Sequence, residues 1–444
     1  MNLSEAQIAL LAPKPTAFNE GKKLGYAANW FSIGKSGRAL WGIIQGSGAN
    51  PYLTKIDFNE LAFSCNCPSR QFPCKHALGL MLIFADNATP AKATADEPEW
   101  VSSWLDKRAV KSTPTDTEKQ KQTEEDVIDP SKEKRQQGRL EAVDAGVEEL
   151  VLWLSDLVRI GLLELPSKPI SFFENMAARM VDSKAPGLAG WVRSLGKINY
   201  SGSWEDEAMQ VIGKLYLLIA AWKNISNLPE PWQQTIRNLV GWNQSTKDLM
   251  DDASAVAIKD EWIVLGQETE TMEDLVVQRT WLKGCLKNHS ALLLQFGTRF
   301  SPLQNMVVPG SIIEGEVAFF PGIYLQRGII RKQLRLLDHW SNKPEATSNL
   351  SDVWEKNMEV AATYPWINDQ AYLVKNARII NVQNEWYLLD EQKKMMRLHS
   401  SFHIEKYMKW IMVTGHAAAD TALVLKGRDA FLLGISTQYG YITL

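Results

Sequence analysis

One short stretch constrains what this chain can fold into more than any other part of its sequence. It covers the twelve residues from Cys65 to His76 and contains three of the protein's four cysteines and one of its six histidines. These residues form two pairs, Cys65 with Cys67 and Cys74 with His76, and a single residue separates the members of each pair. The prolines and the serine between the pairs favour a turn that brings them together. Three thiolates and one imidazole make a complete tetrahedral ligand set for zinc.

Other uses of clustered cysteines fit this stretch less well. A disulfide between Cys65 and Cys67 would close a very small ring and strain the bond geometry. A catalytic cysteine needs one thiol beside a base, and a redox pair more often has the spacing Cys-x-x-Cys. A catalytic zinc needs an open position, which a fourth protein ligand would fill. We therefore predict that Cys65, Cys67, Cys74 and His76 bind one structural zinc ion, and that this ion holds together a unit with little core of its own.

The pattern resembles that of the SWIM zinc finger. Members of that family have Cys-x-Cys, a gap of variable length and Cys-x-His on a compact β-β-α unit. This chain has the same order of residues, and an apolar segment over residues 77–84, which we predict to be a helix, follows them. The resemblance implies that the four residues are the zinc ligands and that the finger binds either DNA or protein.

The resemblance also extends beyond the ligands. Residues 41–48 and the pair Pro51 and Tyr52 are similar to the opening strand and turn of bacterial members, so the resemblance covers residues 35–87. We predict strands over residues 39–45 and 52–58. In its general layout, the chain resembles bacterial SWIM proteins that are encoded beside MoxR-type AAA+ ATPases and von Willebrand factor A proteins. This implies that an ATPase and a von Willebrand factor A protein are its partners.

Length and composition predict a globular protein with several domains, since the chain has 444 residues, of which 45% are hydrophobic and 22% charged. We expect an N-terminal domain over residues 1–87, a flexible charged linker over 88–137, a helical domain over 138–252 and one or more β-rich domains over 253–444. The predicted fold class is α+β and multidomain, with a small β-β-α zinc finger unit, a helical middle domain and a β-rich C-terminal part.

Hydrophobic spacing supports the helical domain. Segments 170–181 and 204–222 have helical patterns, and a further helix is predicted from apolar residues three or four positions apart. These residues are Val147, Leu150, Val151, Leu154, Leu157 and Val158.

Three segments of the C-terminal part have the pattern of β-hairpins. Segments 256–265, 379–389 and 423–433 each consist of an apolar run, a polar turn and a second apolar run. Their irregular spacing does not predict a propeller, and one or two small β units with helical insertions fit better.

The predicted linker has one segment of different character. Most of it is rich in alanine, threonine, proline, lysine and glutamate, which cannot bury enough apolar surface to offset the entropy lost on ordering. Trp100 and Trp104, however, are four residues apart and would share one face of a helix. Two interpretations remain open, namely a short helix docked on a neighbouring domain and a linear motif for a partner.

The distribution of charged residues indicates which part of the chain could bind nucleic acid. The net charge of −3 excludes a polycation built to bind nucleic acid. Residues 1–87 nevertheless carry eight lysines and arginines against five acidic residues. Five basic residues near the finger are candidates for phosphate contacts, and Tyr52 and Phe72 are candidates for stacking on bases. The five basic residues are Lys35, Arg38, Lys55, Arg70 and Lys75.

The remaining expectations concern location and chemistry. No stretch approaches the roughly 20 apolar residues that a membrane span needs, and the first residues lack the basic and apolar regions of a secretion signal. We therefore expect a cytoplasmic protein without a membrane partner. No nucleophile with a base, open metal site or phosphate loop is evident, so we expect neither an enzyme nor a small-molecule substrate. A protein-binding adaptor is the favoured function, and nucleic-acid binding through the finger is the alternative.

Overall fold

The computed structural model describes residues 3, 5–46, 50–58, 62–69, 73–85, 88, 90, 93–112, 130–202, 204–242, 244–272, 275–298, 307–337, 340–437 and 440–444. Over these residues the predicted α+β, multidomain fold class is confirmed. An N-terminal sheet with its helices is followed by a helical bundle, and the C-terminal part consists of a β-barrel and a further sheet.

The N-terminal domain is built on a five-stranded sheet with the order β4-β3-β2-β1-β5. Its strands are β1 (Trp30–Lys35), β2 (Ala39–Ile44), β3 (Tyr52–Asp57), β4 (Ala62–Cys65) and β5 (Ala93–Thr94). Its helices are α1 (Glu5–Leu11), α2 (Pro15–Leu24) and α3 (Lys75–Ile83). The two strands predicted around the glycine-rich turn and the helix predicted after the last ligand are thus confirmed.

Helix α3 belongs to a larger core than the sequence suggests. Almost all of its side chains are buried, including Leu78 and Leu80. They share one apolar cluster with Ile8 of α1, with residues of the sheet and with Val308, which lies more than 200 positions further along the chain. The finger is therefore stabilised by apolar burial as well as by its ligands.

A helix docks on the other side of this domain. Helix α4 (Glu99–Ser112) buries Val101 and Leu105 against Ala39 and Trp41 of β2. The interpretation of the tryptophan segment as a docked helix is confirmed. Residues 93–112, which we expected to be part of a flexible linker, are folded because these apolar side chains find a partner surface. Residues 113–129 of the predicted linker lie outside the described residues. Its last residues, 130–137, belong to the helix Pro130–Ile160, so the helical part begins earlier than the predicted residue 138.

The helical bundle has one continuous apolar core. Its helices are α5 (Pro130–Ile160), α6 (Ile170–Asp182), α7 (Pro186–Gly196), α8 (Glu205–Lys223) and α9 (Glu230–Val240), and the short α10 (Thr246–Asp251) follows. On α5 the predicted core positions Val147, Leu150, Leu154 and Leu157 are buried. Val158 is 56% exposed, so its prediction as a core residue was wrong. It lies one position past the last buried residue, on the solvent side of the final turn.

Five strands after the bundle close into a barrel with the order β10-β8-β7-β6-β9. They are β6 (Ala257–Met272), β7 (Leu275–Gly284), β8 (Ser290–Thr298), β9 (Ile312–Phe319) and β10 (Arg327–Leu337). Strands β8 and β10 are parallel, and the other neighbours are antiparallel.

The hairpin predicted over residues 256–265 was wrong, because residues 257–265 lie in the single long strand β6. Its polar residues do not turn the chain. The buried carboxylate of Asp260 instead accepts hydrogen bonds from the main-chain N–H groups of Glu261, Leu286 and Lys287. An acidic residue inside a strand is thus satisfied by a neighbouring loop.

The last part is a six-stranded sheet with the order β13-β12-β11-β14-β15-β16. Its strands are β11 (Ala371–Val382), β12 (Glu385–Leu389), β13 (Met395–Arg397), β14 (Ala419–Lys426), β15 (Asp429–Thr437) and β16 (Gly440–Thr443), accompanied by helices α11 (Leu350–Thr363) and α12 (Ile404–Thr414). The two hairpins predicted here are confirmed. Gln383 and Asn384 turn the first with positive φ angles, and Gly427 with φ of 62° lies in the second turn.

Specific contacts join the helical bundle to the barrel and to the segment before the last sheet. Trp366, just before the last sheet, lies in the core of the bundle, and its indole N–H donates to the carbonyl of Lys214 at 2.9 Å. Asn238 of α9 donates to the carbonyl of Pro321 in the barrel at 2.9 Å. Among the described residues, no helix combines the length and the apolar character that crossing a membrane requires.

The close approach of Gly34 to Trp41 gives a test of how α4 is held. A Cβ added at Gly34 would lie 2.2 Å from the Trp41 indole, on which α4 packs, whereas a Cβ added at Gly37 would have no neighbour within 4 Å. We expect Gly34→Ala to lower the free energy of unfolding by about 1–3 kcal/mol through overpacking. Gly37→Ala should have little effect. Urea denaturation of the full chain measures the difference, and equal midpoints for the two variants would contradict this packing.

Candidate metal centre

Strand β4, the following turn and helix α3 position the four predicted ligands. Cys65 is the last residue of β4, and Cys67 lies in the turn that follows. Cys74 immediately precedes α3 with extended backbone, and His76 lies in the first helical turn. Forming the helix therefore places the second ligand pair, and binding a metal fixes the start of the helix.

The four side chains converge with distances suited to zinc. Their ligand atoms all lie within 4.8 Å of one another. Nδ1 of His76 is 3.9 Å from Sγ of Cys65 and 3.9 Å from Sγ of Cys74. In a tetrahedral site with Zn–S bonds of about 2.3 Å, ligand atoms are about 3.5–3.8 Å apart. The arrangement fits one structural zinc ion, and the histidine contributes its Nδ1 atom.

Hydrogen bonds to sulfur support the ligand set. The hydroxyl of Thr54 donates to Sγ of Cys65 at 3.2 Å. The three cysteine sulfurs, in chain order, also accept main-chain hydrogen bonds from Cys67, Ser69 and Ala77. Donors aimed at sulfur stabilise the thiolate form, which is the form that binds metal.

The thiols differ in how readily they ionise. A hydrogen bond from the Cys74 thiol is the main cause that lowers the pKa of Cys65, and the bonds from His76, Thr54 and Cys67 act in the same direction. The same pairing, together with burial, raises the pKa of Cys74. Burial also raises the pKa of Cys67. Zinc binding must displace the protons of these two thiols, so affinity for zinc falls as the pH falls.

The centre is enclosed. Cys67, Cys74 and His76 are buried, and the Tyr52 ring lies 5.1 Å from the imidazole between ring centroids. Because four protein ligands complete a tetrahedron, the set leaves no position for a reactive water. This donor set suits a structural ion.

Comparison with known families agrees with this geometry. Residues 53–83 match the family model of the SWIM zinc finger. The chain contains a SWIM finger. Residues 138–240 match the model of the SWIM-associated four-helix bundle domain, which corresponds to the bundle that begins with α5. Comparisons with curated proteins and with solved structures give no match. The resemblance is thus confirmed for the finger, and the association with an ATPase and a von Willebrand factor A protein stays a prediction.

Two of the five basic residues near the SWIM finger are engaged within the protein. The guanidinium of Arg38 donates to Glu97 at 3.2 Å and to Asp106 at 3.1 Å. The ammonium of Lys55 donates to the carbonyl of Trp100 at 3.0 Å and lies over the rings of Trp100 and Trp104. Burial lowers the pKa of Lys55. These two side chains fasten α4 to the finger domain.

The structure describes three of the other residues predicted to contact nucleic acid. Lys75 is exposed at the start of α3, and Lys35 is half-buried with its ammonium 6.0 Å from the centroid of the Phe84 ring. Arg70 and Phe72 lie outside the described residues. Tyr52 is half-buried beside the ligand histidine, so it contributes to the metal centre.

Thr54 is a residue of the site that sequence reasoning missed. It is fully buried and lies opposite Cys65 in the antiparallel pairing of β3 with β4. Nothing in the ligand spacing points to it. Only the strand register brings its hydroxyl to the sulfur.

Loss of a ligand should affect the finger and spare the bundle. We expect Cys67→Ser to abolish stoichiometric zinc binding and to loosen β3, β4 and α3, because the metal links their ends. Zinc content and hydrogen exchange measure both effects. Cys285→Ser is the matched control, since Cys285 is a buried thiol within the barrel part. Cooperative unfolding of the bundle in Cys67→Ser would contradict the prediction.

The Thr54 hydroxyl gives a second test. We expect Thr54→Val to lower zinc affinity by about tenfold or more, as is usual when a partner of a ligand is removed. Thr54→Ser keeps the hydroxyl and should bind zinc nearly as tightly as the wild type. Competition with a chromophoric chelator measures the affinity. Equal affinities for the Val and Ser variants would mean that the hydrogen bond has no influence.

Proposed function

We propose that this protein is a cytoplasmic, zinc-stabilised adaptor that binds a protein partner through its SWIM finger and the N-terminal domain around it, and that it is not itself an enzyme. The proposed partners are a MoxR-type AAA+ ATPase and a von Willebrand factor A protein, as the resemblance in layout implies. The bundle, the barrel and the last sheet would present this domain at a defined position in the assembly.

The observation that carries the proposal is the exposure of two aromatic side chains on the N-terminal domain that contains the SWIM finger. Tyr26 is 68% exposed and Phe31 is 61% exposed, whereas Trp30 between them is buried. They flank the short 3-10 helix Ala27–Asn29 that leads into β1. Exposed aromatic residues are typical anchors of protein interfaces, because they bury much apolar area at low entropic cost.

Electrostatics also favours a protein partner. Arg38 already has two carboxylate partners, and the ammonium of Lys55 lies over the rings of Trp100 and Trp104. A phosphate backbone would have to compete with these contacts. The net charge of −3 gives the whole chain no general attraction for nucleic acid.

The alternative function, nucleic-acid binding by the SWIM finger, depends mainly on Lys75, which is exposed beside the metal centre. Phosphate contacts would make the affinity fall with salt, with a slope set by the number of contacts. A salt series with single- and double-stranded DNA and RNA, run on the wild type and on Lys75→Gln, therefore tests whether the finger makes phosphate contacts, and a slope that is unchanged in the variant would exclude Lys75 as one of them.

The adaptor proposal is tested by capturing partners from the native cell. We expect the tagged wild-type protein to recover the ATPase and the von Willebrand factor A protein. Tyr26→Ala and Phe31→Ala should each reduce recovery several-fold, since truncation of an interface anchor costs about 2 kcal/mol or more. Quantitative mass spectrometry measures the recovery.

Leu163→Ala is the matched control, because Leu163 is an apolar residue of the bundle that is 81% exposed. It should recover as much partner as the wild type. Undiminished recovery by both aromatic variants would exclude the aromatic surface, and recovery of neither partner by the wild type would exclude the proposed assembly.

A further inference from the structure

A second candidate site lies in the barrel, where a loop meets the bundle and the last sheet. Two adjacent cavities of about 380 and 240 Å³ lie there. They share Leu292, Tyr324, Gln326 and Asp369 in their walls. Together they have the volume of a small-molecule site, which is about 300–1,000 Å³.

The topology of the barrel places these cavities on the face where barrels of the same connectivity bind ligands. The order β10-β8-β7-β6-β9, with β8 parallel to β10, is the connectivity of the five-stranded oligonucleotide- and oligosaccharide-binding barrel. Such barrels bind their ligands on the second and third strands and on two loops, one between the first and second strands and one between the fourth and fifth. Here the second and third strands are β7 and β8, and the loop between the fourth and fifth is residues 320–326. Both cavities are lined by β8 and by this loop.

Arg327 is the cation of the smaller cavity. Its guanidinium lies 4.5 Å from the centroid of the Phe320 ring, and its Nε atom is buried without a hydrogen-bond partner. Burial lowers the pKa of Arg327, with no acidic group acting against it. On the same strand, Arg331 and Arg335 each pair with a glutamate. Within the described part of the chain, no acidic side chain pairs with Arg327, so its guanidinium is available to bind an anion.

The loop that forms the cavities is held on both sides. The main-chain N–H of Ile323 donates to the hydroxyl of Thr235 in the bundle at 2.9 Å. The Tyr324 hydroxyl donates to the side chain of Gln370 at 2.8 Å. A site held in this way is formed before a ligand arrives, so little entropy is lost on binding.

Two tyrosine rings and an ion-paired carboxylate form further parts of the cavity walls. Tyr324 lies in the wall of both cavities and packs near Tyr364, with 6.2 Å between ring centroids. The carboxylate of Asp369 would repel an anion, but it is paired with Lys426 at 3.1 Å and with Arg279 at 3.4 Å. A planar, negatively charged ligand fits this combination of an aromatic wall and an unpaired guanidinium.

We propose that these cavities bind a nucleoside phosphate, with its phosphate on the guanidinium of Arg327 and its base against the ring of Tyr324. The nucleoside phosphate is either a free nucleotide or one residue of a single strand. This site is separate from the SWIM finger and does not depend on the adaptor function.

The test measures binding to the zinc-loaded full-length protein. The probes are AMP, the single strand (dT)12 and inorganic phosphate. Calorimetry measures the binding of each probe, and fluorescence anisotropy also measures the binding of a labelled (dT)12. We expect the wild type to bind AMP, (dT)12 or both, and Arg327→Gln to weaken binding about tenfold to a hundredfold, because charge-assisted hydrogen bonds are lost. Arg327→Lys keeps the charge without the fork and should bind with intermediate affinity.

Arg335→Gln is the matched control, since Arg335 lies on the same strand, has a side chain that is 69% exposed and lines neither cavity. It should bind like the wild type. Binding of AMP would identify a free nucleotide as sufficient, and binding of (dT)12 alone would identify a strand. Three results would overturn the proposal, namely no binding of either probe, equal binding by the Arg327→Gln and Arg335→Gln variants, and inorganic phosphate binding as tightly as the nucleotide.

Discussion

Convergence of three thiols and one imidazole is the constraint on which the N-terminal domain depends. Cys65 ends a strand, and His76 lies in the first turn of a helix, so the metal joins a sheet to a helix across a short turn. Each sulfur accepts hydrogen bonds from groups that the local fold brings to it. Burial of the helix against the sheet and the N-terminal helices adds apolar stabilisation to the ligation. The domain is thus held by ligation and by burial together.

Two basic residues of the N-terminal domain show that tertiary contacts decide whether a positive charge is available to a ligand. Arg38 and Lys55 would be plausible phosphate ligands on an open surface, but they hold helix α4 on the sheet. Their engagement leaves exposed aromatic side chains as the more distinctive feature of the domain, which is why a protein partner is the better proposal. Among the described residues of the barrel, Arg327 has no acidic partner and lines a cavity where the barrel meets the bundle and the segment before the last sheet.

The parts of the chain are linked by a few specific contacts. Val308 of the barrel region enters the core of the finger domain, and Trp366 enters the core of the bundle. Asn238 and Thr235 of the bundle bind the barrel loop that lines the cavities. These contacts bury residues of one part in the core of another and fix the loop of the cavities against the bundle.

The sequence by itself determined the zinc ligands, the fold class, the helical middle part and two of the three hairpins, because these depend on spacing over a few residues. Ligand spacing, hydrophobic period and turn residues are local signals. The features that only the tertiary structure decided depend on contacts between residues that are far apart in the sequence. Examples are the docking of α4, the continuity of β6 through Asp260, the hydroxyl of Thr54 at a ligand sulfur and the closure of the barrel around Arg327. Each of these requires strand register or packing between distant segments, which a single sequence does not encode in any short pattern.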